Sequence, residues 1–76
     1  MKLLHLIGWT KFKLGDIVIT INDKASKEFK NIRGIVISID EYSLSYKIFI
    51  TKGNKYYKDK TSLSMLPEDL LKKVKL

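Results

Sequence analysis

The stretch "TKGNKYYKDK", residues 51–60, sets lysines around two adjacent tyrosines. Ammonium groups attract phosphate oxygens, and an aromatic ring offers a face on which an unpaired base can stack, so the combination suits single-stranded nucleic acid. Lys52, Lys55, Lys58 and Lys60 are the candidate phosphate contacts. If the segment is extended, Tyr56 and Tyr57 face opposite sides, one toward a partner and the other toward the core. The residues alone leave open which is which; Tyr57 enters the candidate set. The preceding polar stretch supplies Lys24, Lys27, Lys30 and Arg33, and these join the first group if both connections meet at one end of the fold. Arg33 fits either a partner contact or a local ion pair. The candidate nucleic-acid contacts are therefore Arg33, Lys52, Lys55, Tyr57, Lys58 and Lys60.

Other chemistry is sparse. His5, the single histidine, sits between Leu4 and Leu6 with no neighbour that would make it a base or a metal ligand. Asp40 and Glu41 are adjacent turn carboxylates without the ligand spacing of a calcium or zinc site. Gly8, Gly15, Gly34 and Gly53 are too dispersed for a phosphate loop or a dinucleotide fingerprint. No catalytic residue, cofactor-binding residue or metal ligand is assigned, and a nonenzymatic protein is expected.

Composition points the same way. Lys and Arg number 15 against 8 Asp and Glu, a formal net charge of +7, which attracts nucleic acid or an acidic protein surface. Of the basic residues only Arg33 is an arginine, which favours diffuse phosphate contacts over bidentate reading of base edges. The chain has no Cys, so neither disulfides nor thiolate-bound zinc can support it, and packing or assembly must. A reducing, cytoplasmic location is expected. The opening "MKLLHLIGWTKFKL" starts like a signal peptide, but His5 and Gly8 interrupt its apolar run and no small-residue cleavage pattern follows. No apolar run is long enough to span a bilayer.

The elements that must position these residues follow from the pattern. Seventy-six residues, 45% of them hydrophobic, fit a single domain with a small core. "IVITI" after Gly15 and Asp16 predicts a strand, "IVISI" after Gly34 a second, and "LSYKIFI" after the turn "DEYS" a third. In the third, Leu44, Tyr46, Ile48 and Ile50 share the better core face. "KGNK" reads as a turn in which Gly53 and Asn54 tolerate left-handed geometry, "KYYK" as a fourth strand, and "DKTSLSML" as ending in a closing strand or a tight helical turn. Phe29 is a candidate anchor for the polar connection "NDKASKEFKN". Pro67, the acidic Glu68 and Asp69, and the later Lys72, Lys73 and Lys75 predict a helix over about 67–75, with Leu70, Leu71 and Val74 on its apolar face.

One conflict stands out. Ile17, Ile19 and Ile21 share a face, as do Ile35, Ile37 and Ile39, yet Val18 and Val36 point the other way. Either both faces are covered, or a bulge rotates part of a strand. Gly34 is read structurally, its missing Cβ permitting close approach to the returning chain.

The segments "KLGDIVIT", "IRGIVISI", "YKIFI" and "LSML" together resemble a small SH3-like β barrel with a KOW-like element. The resemblance implies an all-β fold of about five strands, with the barrel over 15–66, an N-terminal extension over 1–14 and the C-terminal helix after it. It also implies that Val18 and Val36 are core residues. Peptide-binding SH3 domains are a poor match, because the acidic, aromatic-rich first loop and paired tryptophans are missing, and Trp9 precedes the barrel. The function expected is a nucleic-acid-binding accessory domain, RNA favoured over DNA. The alternative is a structural adaptor or small subunit of a multiprotein complex, of undetermined oligomeric state, docking through Leu4, Trp9 and Phe12 or through Leu70, Leu71 and Val74.

Overall fold

The computed structural model describes residues 10–74. Branched and aromatic runs form β1 (Ile17–Thr20), β2 (Arg33–Asp40), β3 (Ser45–Lys52) and β4 (Ser62–Pro67), followed by a short β5 (Leu71–Lys73). All pairs are antiparallel, in the order β4-β3-β2-β1-β5. The core lies on one face: Val18, Val36, Tyr46, Ile48, Ile50, Leu63, Leu66 and Leu71, with Ile32 and Phe12 closing over it.

Three irregularities decide which side chains reach that core. In β2, Val36 pairs with Ile48 and Ser38 with Lys47, so Ile37 is an extra residue that pairs with nothing on β3. The bulge flips the strand's parity. Val36 is buried upstream of it, Ile37 is exposed, and Ile39 packs against the core downstream. The valine conflict therefore resolves in favour of a bulge in β2 and an inward Val18. In β4, Tyr46 pairs with Leu66 and Ile48 with Leu63. Ser64 and Met65 together oppose Lys47, and Met65 takes a φ of 64°, which lets both Leu63 and Leu66 turn inward. The third bulge inserts Thr51 between the pairs Gly34 with Ile50 and Arg33 with Lys52.

The closed SH3-like barrel with a KOW-like element is corrected to an open five-stranded sheet. β4 and β5 are its two edges and have no register with each other. A 3₁₀ turn, Glu68–Leu70, links them directly, and β5 uses its three residues to pair with β1 through Thr20–Leu71, Ile19–Lys72 and Val18–Lys73. The C-terminal helix over 67–75 is likewise corrected to this 3₁₀ turn and β5, with Lys75 outside the described residues. Its charge pairs were worth only about 0.2–0.5 kcal/mol each, and a helix that short is marginal alone. Docking along β1 instead buries Leu71 completely and supplies the backbone bonds Ile21 N–H to Leu70 O, 2.7 Å, and Val74 N–H to Ile17 O, 2.8 Å. "KYYK" is not a strand; it belongs to the connection between β3 and β4.

Gly34 is a point of tight approach between β2 and β3. A Cβ there would lie 2.6 Å from the carbonyl oxygen of Phe49, a backbone atom that cannot swing aside. Gly34→Ala is expected to cost about 1–3 kcal/mol of stability, as overpacking does, measurable by urea denaturation.

Glu68 ties the final turn to the rest of the fold. Its Oε2 accepts the hydroxyl proton of Tyr46 and, at 3.0 Å, the Lys11 backbone N–H. Burial first, and the hydrogen bond to Glu68 second, push the Tyr46 phenol from the ordinary 10.0 up to about 12. The folded chain holds this proton more tightly than the unfolded chain, so the contribution is complete below pH 10 and is lost as the pH rises from about 10 to about 12. That loss amounts to roughly 2–3 kcal/mol. Urea unfolding across this window is expected to show a stability drop that Tyr46→Phe lacks.

Candidate nucleic-acid interface

Two connections build the site. The first, between β1 and β2, contains the 3₁₀ turn Lys27–Phe29 and brings Phe29 back against the core. The second, residues 53–61 between β3 and β4, is wired by its own side chains: Gly53 N–H donates to Asp59 Oδ1 at 2.7 Å and Thr61 Oγ1 donates to Lys58 O at 2.7 Å. Gly53 is needed for close approach rather than for left-handed geometry, since a Cβ there would sit 1.9 Å from the Tyr57 carbonyl oxygen.

Asn54 joins the two connections. Its Oδ1 accepts the backbone N–H groups of Tyr56 and Tyr57 at 2.8 and 3.0 Å, and its Nδ2 donates to Glu28 O and Lys30 O at 2.9 and 2.6 Å. All of the amide's hydrogen-bonding capacity points at backbone, half of it on each side of the seam. Beside it Phe29 and Tyr57 stack across the same seam, ring centroids 5.6 Å apart and planes 11° apart.

This arrangement assigns the tyrosine pair. Tyr57 is partly buried and packed against the core, whereas Tyr56 is 48% exposed. Tyr56 shares a groove with Lys27, Lys30, Asn31, Asn54 and Lys55. Lys55 Nζ lies 5.4 Å from the Tyr56 ring centroid, a cation–π contact that keeps a positive charge beside the ring. Glu28 lines a second depression beside Tyr56, with Ser26 and Lys27.

The remaining candidates fall into separate places. Arg33 and Lys52 are exposed cross-strand partners and line an adjoining groove with Ile19, Asn22 and Asn31. Among the described residues the single salt bridge joins Lys73 to Asp16, 3.7 Å, so Arg33 takes no part in one. Lys58 and Lys60 are exposed on the second connection but line neither groove. Sequence reasoning put Tyr57 in the candidate set as the stacking ring; its packing against the core and on Phe29 corrects that choice to Tyr56, and Lys27 and Lys30 were named without a place. The spacing of Lys27, Phe29 and Lys30 in one short connection was the available signal.

The candidate protein-docking residues are placed differently from expectation. Phe12 and Leu71 are core residues, Leu70 and Val74 are half-buried, and Leu4 and Trp9 lie outside the described residues. Asp40 caps its turn, Oδ1 accepting the Tyr42 N–H at 3.1 Å. Among the described residues no three His, Cys, Asp or Glu side chains converge as a metal site, and no helix is long and apolar enough to cross a membrane. Compared with known proteins, the chain matches no family model and no curated sequence.

Proposed function

We propose that the protein is a nonenzymatic accessory domain that binds single-stranded nucleic acid, RNA favoured over DNA. The observation that carries this reading is the seam held by Asn54, which puts the exposed ring of Tyr56 in one groove with Lys27, Lys30 and Lys55. A base can reach such a ring only when it is unpaired, and lysines around it neutralise the adjoining phosphates. Duplex reading is less well supported, because the chain has one arginine for bidentate contacts to base edges. Fluorescence anisotropy with labelled single strands across a salt series tests the reading. Binding is expected to weaken linearly on a log–log plot against salt, with single strands preferred over duplex. Absence of binding at low salt, or a preference for duplex, would overturn it.

A second reading, a structural adaptor in a protein complex, rests on the outer sheet face. Leu14, Ile37 and Phe49 are 66%, 45% and 37% exposed there, and Leu14 and Ile37 line a groove with Thr10 and Ile39. Recovery of a stoichiometric protein partner after nuclease and high-salt washing would favour it.

A further inference from the structure

The strand registers align exposed cations in a row across the outer face of the sheet. Lys72 on β5 pairs with Ile19 on β1, Ile19 pairs with Arg33 on β2, and Arg33 pairs with Lys52 on β3. Val18 and Thr20 point into the core, so Ile19 and its row point outward, and Arg33, Lys52 and Lys72 are all exposed. Three strand intervals make the row about 14 Å long. Like charges placed directly opposite each other on neighbouring strands repel. The Arg33–Lys52 pair nonetheless stands without a carboxylate partner among the described residues. A row of this kind is suited to an anion with repeated charges.

The row also adjoins the Tyr56 groove. Asn31 lines both that groove and the one containing Ile19, Arg33 and Lys52. It is fixed in place by Asn22, whose Oδ1 accepts the Asn31 N–H at 2.9 Å and whose Nδ2 donates to the Asn31 Oδ1 at 2.8 Å. We infer that the row is a second segment of the binding site. A single strand with one base on Tyr56 passes over Asn31 and lays its following phosphates on Arg33, Lys52 and Lys72. The inference rests on the nucleic-acid reading above and adds a path and a minimum length to it: the strand must span both grooves.

Oligonucleotide length separates the two claims. Anisotropy titrations would use labelled single strands of about two, four and eight nucleotides, from below to within the span of about 4–16 nucleotides that small single-strand-binding domains cover. The wild-type protein is expected to gain affinity with length. The double variant Arg33→Gln plus Lys72→Gln, which keeps long polar side chains at two exposed positions, is expected to bind the shortest strand as before. For the longest strand it should lose at least about tenfold in affinity, with a salt slope shallower by about 1.4, two phosphate contacts at roughly 0.7 each. Unchanged affinity for every length, or an equal loss at every length, would overturn the second segment while leaving the Tyr56 groove standing. Equal binding of poly-glutamate to the row would overturn it in favour of an acidic protein surface. Failure of the wild-type protein to bind any strand would instead remove the reading on which it rests.

Discussion

Asn54→Ala is expected to lower stability by about 2–4 kcal/mol and to remove most of the affinity for single-stranded nucleic acid. The change deletes four hydrogen bonds and leaves the carbonyls of Glu28 and Lys30 and the N–H groups of Tyr56 and Tyr57 to find other partners. A net bond contributes about 1 kcal/mol, and these four act on one seam, so the sum is bounded at about that range. Asn54→Asp sharpens the test. A carboxylate still accepts from Tyr56 and Tyr57 but has no proton to offer the two carbonyls. If the seam depends on the bridging bonds, the aspartate variant should be at least as damaging as alanine, in both urea denaturation and anisotropy. Near wild-type behaviour of Asn54→Asp would show that the two connections hold together without them.

The tyrosine pair should divide cleanly between binding and folding. Tyr56→Ala is expected to cost about 1–3 kcal/mol of binding, the range for loss of one base-stacking ring, with an unchanged urea midpoint. Tyr57→Ala removes a ring that is packed on the core and stacked on Phe29, and is expected to cost about 2–4 kcal/mol of stability, the lower part of and just under the range of about 3–5 for a fully buried aromatic. Any loss of binding in that variant should follow from the loosened seam, so Tyr57→Phe, which keeps the stack, should restore it. Equal binding losses in Tyr56→Ala and Tyr57→Phe would contradict this division of labour.

The parts of the fold that were readable in the sequence are those set by local alternation. Tyr46, Ile48 and Ile50 alternate without interruption in β3 and are all buried, and the Gly34 approach to β3 was readable from the glycine itself. The bulges were readable only as an alternative raised by the valine conflict, with nothing to locate them. An inserted residue such as Ile37 or Met65 carries no compositional mark, yet it shifts every later side chain to the other face. The end of the chain misled for a related reason. Proline, acids and then lysines at helical spacing are weak local preferences, and burial of Leu71 beside β1 is a tertiary gain that outweighs them. The resemblance to a closed barrel rested on strands that do exist, whereas closure depends on how the two edges meet, which short strand motifs do not encode. In the site, lysine and tyrosine types were informative, but the contacts that distinguish Tyr56 from Tyr57 and bring Lys27 and Lys30 into play are long-range: the stack of Tyr57 on Phe29, and Asn54 bonded to Glu28 and Lys30, 26 and 24 residues away.

Backbone amide resonances followed during titration with a short single-stranded RNA test most directly whether the groove at the seam is the nucleic-acid site. Residues 26–31 and 54–57 are expected to shift first and furthest, at low salt, with the movements fading as salt is raised. Shifts confined to the apolar outer face around Leu14, Ile37 and Phe49, or no shifts while the protein remains folded, would contradict the account.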